Sequence, residues 1–558
     1  MKKISAFSIV IALMCLLQAS SASATNLYKF EKVFGRDNTD LVYAVRELAG
    51  GGYLLAGSTL TVIDVALMTT RQEMYVIKTD AAGNVVWSRI YGSVGQDEGA
   101  FSIEEGANGY YIFGNTVNSS TNASVASLLH IDTAGNIIWN KTYTMHANEW
   151  GGVIRKINEN AFVICGKTYT AAEDYEVFLV KIDSSGNTIW SKGYNGDAAM
   201  TDVATAVTIT ADGGFLITGD SYFIPTHDYF VLAIKTDSTG TLQWTRAYAD
   251  THNSRGVGGY DIDNGYIIGG QLVGSGTAAD MLLMRTDLSG NVIWSKTYGG
   301  ATGDFAHAML DLGNGYALFG ESSSFFTTGI TNAYVVKTYT AGALVSSVAY
   351  GDTNFHSSAV CAVATAHNGI AFAGVSMGYG LGLEDFYFVK TIGDTAGCLQ
   401  NPVSTTVTPV SVTSFAFSNS ETLTTTIVDV TAGIYTSITD TSANHSDSTI
   451  CFSVTALPDT DISLGHILSP LAAGSTRVFP NPAGGNFTVQ ADLSFGAFSS
   501  VKVFNNLGVD VSRHFVATQA GGSINFTTAG LPPGNYWIRI ANDAGRAISC
   551  RIVIAQEK

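Results

Sequence analysis

The chain has 558 residues, with 60 Gly, 25 Tyr and 28 Phe and only 13% charged residues, so it is too long for one compact core and reads as many short strands joined by tight turns. Its formal charge is −17. That balance argues against a nucleic-acid partner, which needs concentrated Lys and Arg, and suits solubility outside the cell or cation binding.

The first element in chain order is a leader. Lys2 and Lys3 precede an apolar run from Ile9 to Leu17, and Ala22-Ser23-Ala24 supplies small residues for cleavage, so residues 1–24 read as a signal peptide. The run is too short to span a bilayer and no later stretch reaches about 18 apolar residues, so no transmembrane helix is expected. Export makes disulfides available. Cys398 and Cys451 bracket a Thr/Ser/Val-rich segment, and a bridge between them would contribute roughly 4 kcal/mol through loop-closure entropy. Cys165 and Cys361 sit in apolar strand patterns and read as buried free thiols, as does Cys550.

From residue 25 to 398 one pattern repeats. Trp87, Trp139, Trp190, Trp244 and Trp294 are each followed four residues on by Tyr91, Tyr143, Tyr194, Tyr248 and Tyr298; Phe30/Phe34 and Ser346/Tyr350 are weaker copies on either side, which makes seven. Each unit of about 50 residues holds four strand-like runs, such as Trp87–Tyr91, Ala100–Glu104, Tyr110–Asn115 and Ser127–Asp132. Asn108-Gly109, Asn264-Gly265, Asn314-Gly315 and Asn368-Gly369 supply hairpin turns. A second turn, Asp132-Thr133-Ala134-Gly135 and its copies starting at Asp80, Asp183, Asp237 and Asp287, is expected to join one unit to the next, its Asp bonding the turn amides. One carboxylate per turn does not make a calcium loop.

Four strands per unit with no helical period predict an all-β fold: a seven-bladed β-propeller over residues 25–398, with the Trp and Tyr rings filling the spaces between blades. The Phe30–Phe34 strand is expected to pair with the strand ending at Lys390 and close the ring. The Asp80…Gly83…Trp87 succession resembles the tryptophan-docking repeat of quinoprotein-dehydrogenase-like propellers, a resemblance that implies blade packing and no particular chemistry.

An acid recurs just before the run expected to be innermost: Asp40, Asp97, Glu149, Asp202 and Asp304, with Ser254 and His356 in the remaining copies. Gathered at one channel mouth they would attract a ligand or a cation such as calcium; the alternative is that each bonds backbone amides. No catalytic set accompanies them. There is no Cys-Cys pair, no HExxH, CxxC or Walker loop, and the histidines fall singly. No catalytic residue and no cofactor is assigned.

Residues 399–472 turn to Thr, Ser, Val and Asp and read as a strand-rich connector. Residues 473–558 change again. Phe479-Pro480-Asn481-Pro482, Asn506-Leu507-Gly508, Gly534-Asn535-Tyr536 and Arg551-Ile552-Val553-Ile554 stand among alternating strands, predicting a compact, Ig-like β-sandwich. In these motifs the tail resembles the type A sorting domain of type IX secretion. The resemblance implies that Pro480, Asn481, Pro482, Gly508, Gly534 and Tyr536 belong to the sorting signal. It also implies that the partner is the type IX machinery, and that the protein passes the outer membrane of a Gram-negative cell to be secreted or held at the cell surface. The expected function is then a binding or adhesion scaffold for an extracellular glycan or protein; the alternative is a secreted hydrolase or lyase acting on polysaccharide.

Overall fold

The computed structural model is all-β. It describes residues 26–36, 38–64, 69–170, 175–195, 200–249, 253–273, 278–325, 329–351, 354–365, 369–378, 383–392, 400–410 and 412–417, and beyond these the strands named below. The signal-peptide residues and Cys398 therefore lie outside the described residues, and with Cys398 the expected bridge to Cys451. Cys165 and Cys361 are free, and burial pushes the Cys165 thiol up to about 12.

Residues 40–91 form sheet 1 from four antiparallel strands, Asp40–Glu47, Tyr53–Asp64, Thr69–Thr79 and Val85–Tyr91. Sheets 2 to 6 follow in the same way, their innermost strands being Gln96–Gly106, Ala147–Asn158, Met200–Ile209, Ser254–Ile262 and Asp304–Asp311. Sheet 7 starts at Cys361–Thr365 and takes its fourth strand from the other end of the chain, because Asn26–Gly35 pairs with Asp385–Lys390. The innermost strands touch in cyclic order, the last against the first. Faced on both sides by neighbours, second strands such as Gly265–Val273 are buried along most of their length, whereas fourth strands such as Val292–Gly299 alternate in exposure over their first half. This is the make-up of propeller blades.

The sheets are offset by one strand from the sequence unit. The Asp-x-x-Gly turn does not link one sheet to the next; it joins the third and fourth strands of one sheet, as between Thr69–Thr79 and Val85–Tyr91. Each such turn docks on the outer strand of the preceding sheet. Asp183 Oδ1 accepts the Ser185 and Asn187 amides at 2.9 and 2.8 Å, which fixes the loop. Gly186 (φ +78°) then lies against Trp139, and its carbonyl accepts the Tyr143 hydroxyl at 2.7 Å. The same hydroxyl-to-glycine bond recurs from Tyr91 to Gly135, Tyr194 to Gly240, Tyr248 to Gly290 and Tyr298 to Gly342. Each buried bond is worth about 1 kcal/mol net. Gly83 of sheet 1 packs on Phe30 instead. Ser346 stands where a Trp is expected because sheet 7 has no such turn: its third and fourth strands come from opposite ends of the chain.

The segment expected as a connector does something else. It runs back past the sheets in reverse order, adding a fifth antiparallel strand to each: Gln400–Pro402 to sheet 6, Thr406–Pro409 to sheet 5, Thr413–Phe417 to sheet 4, Asn419–Thr422 to sheet 3, Thr426–Asp429 to sheet 2, Ile438–Thr439 to sheet 1, and Ser446–Ala456 to Asn26–Gly35 of sheet 7. Strands too short to bury a core of their own satisfy the unpaired amides and carbonyls of the outer edges. The first compact unit accordingly extends to Pro458, and a second begins at Asp459. In the second unit Arg477–Phe479, Asn486–Gln490, Ser523–Thr528 and Phe515–Ala520 form a four-stranded sheet, and Phe498–Asn505, Gly534–Asn542 and Ala547–Ile554 a three-stranded one. No helix among the described residues is long and apolar enough to cross a membrane.

The docking geometry sets two unequal outcomes. Tyr143→Phe in the full chain removes one hydroxyl bond and should cost about 1 kcal/mol. Gly186→Ala forces a positive φ on an L-residue and brings a β-carbon within 2.8 Å of the Trp139 ring, and should cost about 2 kcal/mol or more. Urea unfolding midpoints of the two variants read the difference; equal midpoints would contradict the docking role of the glycine.

Candidate functional site

The strand register identifies the acids expected at the channel mouth. Val42, Ala100, Gly151, Ala204, Gly256 and Ala306 each face the recurring glycine of the second strand, Gly57, Gly114, Gly166, Gly219, Gly270 and Gly320. Two residues earlier stand Asp40, Glu98, Glu149, Asp202, Ser254 and Asp304, and Ser357 in sheet 7, all between 0 and 4% exposed. The member in sheet 2 is thus Glu98 and not Asp97, and in sheet 7 Ser357 and not His356. A shift of one residue on a strand turns the side chain to the other face. Asp97 is half-buried there, accepting the Gln72 amide at 2.9 Å.

These buried groups clasp the crossover from the outer strand of one sheet to the inner strand of the next. Asp40 Oδ2 accepts the Arg36 amide at 2.6 Å, Glu98 Oε1 the Ser93 amide at 3.0 Å, Glu149 Oε1 the Met145 and His146 amides at 3.0 and 2.9 Å, and Asp304 Oδ2 the Gly300 amide at 2.7 Å. Ser254 and Ser357 donate instead, to the Tyr248 and Tyr350 carbonyls at 2.8 and 3.0 Å. Asp202 is buried at the same register. Among the described residues no three His, Cys, Asp or Glu side chains are arranged to hold a metal ion.

An open cavity of about 620 Å³ lies elsewhere, where the inner strands of sheets 4, 5 and 6 converge. Its lining includes Asp220, Tyr229, Arg255, Gln271, Phe305, His307 and Glu321. The Arg255 guanidinium lies 4.1 Å over the Tyr229 ring. Asp220 Oδ1 accepts the Gly256 amide at 3.0 Å, and burial pushes its carboxyl up to about 6 against the opposing pull of Arg255 and Lys167. Glu321 is also raised by burial, and its Oε1 stands 3.9 Å from His307 Nε2. The sequence gives no spacing signal for this group, because its members come from three sheets. Volume, concavity and a few converging polar groups are what small-molecule sites offer.

The tail has its own evidence. Alternate residues of its strands, Tyr536, Ile538 and Ile540, are buried, and the rings of Phe515 and Tyr536 meet edge-on at 6.2 Å. Residues 477–555 match the secretion system C-terminal sorting domain. Within the sorting domain Gly534 opens the strand Gly534–Asn542 and Tyr536 is buried; Pro480, Asn481, Pro482 and Gly508 lie outside the described residues. The domain implies handling by the type IX machinery and delivery to the cell surface or the medium. No curated protein matches the chain. Among solved structures, a phage phi92 endosialidase aligns over 95% of this chain and 88% of its own at 10% identity, with a TM-score of 0.37, a likeness too distant to bear on fold or activity.

The Glu98 clasp carries a pH dependence. Burial, first, and the neighbouring Glu73 hold Glu98 at about 7, above its ordinary range, against the pull of the Ser93 bonds and Arg71. A carboxyl raised on folding gives stability that is fully present below its unfolded pKa near 4.5 and is lost as pH rises through 7. Glu98→Gln should therefore match the wild type near pH 4.5 and exceed it at pH 8, by up to roughly 3 kcal/mol. Urea unfolding of the full chain at both pH values reads this; an equal or lower stability of the variant at pH 8 refutes it.

Proposed function

We propose that the chain is an exported seven-bladed β-propeller, laced by its fifth strands and followed by an Ig-like sorting domain, that binds an extracellular ligand and carries out no chemistry of its own. The passenger in this reading is residues 25–458, longer than the repeat alone. The observation that carries the binding role is the open cavity on sheets 4 to 6, where polar side chains from three sheets converge. The acids first singled out support a scaffold, because those whose bonds are described clasp backbone amides. The docking of Gly turns on Trp rings supports kinship with Trp-repeat propellers in blade packing.

A polysaccharide hydrolase or lyase is the second reading, favoured by one feature: two carboxyl groups of the cavity, Asp220 and Glu321, are both held above their ordinary range. Appearance of new reducing or unsaturated ends when the purified chain is incubated with polysaccharide would decide for it.

Export is tested by deleting residues 459–558. The truncated chain, which keeps every fifth strand, should fold and accumulate inside the envelope. Fractionation and immunoblotting read its location, and recovery from the surface or medium at the level of the full chain would sink the sorting role.

A further inference from the structure

The positions that recur in the repeat do so because packing requires it: the docked Gly, the Trp and Tyr beneath it, the clasp, and the second-strand glycine. The residue directly after that glycine does not. It is Ser58, Asn115, Lys167, Asp220, Gln271 and Glu321 in sheets 1 to 6, polar each time and different each time. Three of these, Asp220, Gln271 and Glu321, line the one cavity, and Lys167 acts electrostatically on Asp220. A register that repeats in backbone and varies in chemistry is where a repeat protein can differentiate a binding surface without disturbing its core.

We infer that this cavity is a carbohydrate-binding site for a neutral sugar residue, a reading that rests on the binding role proposed above and names its ligand. Arg255 directly faces Gln271 across the strand pair, and Phe305 faces Glu321 in the same way. The Arg255 guanidinium rests 4.1 Å over the Tyr229 ring and offers donors, while Gln271 donates and accepts and the carboxylates accept. Such a set matches the neighbouring hydroxyls of a sugar, each of which both donates and accepts. Phe305 supplies an apolar wall for the carbon face of the ring. An apolar ligand would leave these polar groups dehydrated and unpaired. A phosphate or an acidic sugar would meet Asp220 and Glu321, with Arg255 already beside Asp220.

The test uses the purified full chain on an array carrying neutral, acidic and amino glycans beside immobilised matrix proteins, followed by calorimetric titration of the best oligosaccharide. Neutral glycans should bind. Gln271→Ala and Phe305→Ala should each weaken the titrated affinity about tenfold, the effect of one lost hydrogen bond or stacking wall, with thermal midpoints unchanged. Ser58→Ala, at the same register in sheet 1, should leave it unaltered. Glycan binding that ignores both cavity substitutions overturns the site, and binding restricted to acidic or amino glycans overturns the neutral class. Binding of a matrix protein and of no glycan overturns the carbohydrate reading while leaving the binding role intact. Silence on every probe counts against both.

Discussion

The contact on which the rest of this fold depends is the seat of one glycine. In five of the six described docking turns a glycine of positive φ presents its carbonyl to a tyrosine hydroxyl while its α-carbon lies on a tryptophan ring, and a β-carbon there would fall 2.8 Å from that ring at Gly186. The aspartate that opens the turn holds it ready by accepting its own amides, and its Asn187 counterpart reaches forward to accept Lys141 of the preceding sheet at 3.0 Å. Sheets 2 to 6 are therefore each fastened to the one before by the same few atoms. That explains why Asp, Gly, Trp and Tyr recur at fixed offsets while most of the chain between them drifts.

A closed round of sheets still has two weaknesses, its seam and its outer edges. The chain meets both with one device. Asn26–Gly35 completes sheet 7 by pairing with Asp385–Lys390, and Ser446–Ala456 then pairs along its other edge, so the first strand is held between two later ones. The intervening fifth strands cover the outer edge of every other sheet. The two ends of this unit consequently leave it side by side, with Asn26 opposite Ala456. The sorting tail can thus be attached or removed without unthreading a strand.

The buried acids and the cavity divide the polar residues between two tasks. Clasp residues sit at a register where a side chain faces the crossover loop, and replacing Asp or Glu by Ser keeps the task by exchanging an amide acceptor for a donor to a carbonyl. Cavity residues sit on the second strand and the facing inner strand, with part of their surface open. Glu98 and Asp304 of the clasps and Asp220 and Glu321 of the cavity are all raised by burial, and the last two line a space that a ligand can enter.

Whatever depends on local spacing was legible in the chain itself: the seven copies, the hairpin turns, the Asp-capped loops, the ring-closing first strand and the motifs of the sorting domain. Each is written within a few residues and needs no partner to be recognised. Tertiary structure alone decided what depends on which strand lies beside which. It placed Glu98 and not Asp97 in the crossover clasp, because a β-strand turns alternate residues to opposite faces and sequence spacing cannot fix that parity across a loop of variable length. It turned residues 400–456 from a connector into fifth strands, because their Thr and Val alternation says that they pair but not with what. It gathered Asp220, Arg255, Gln271 and Glu321 from three sheets into one cavity, since side chains about 50 residues apart in sequence meet only when the sheets close on one another.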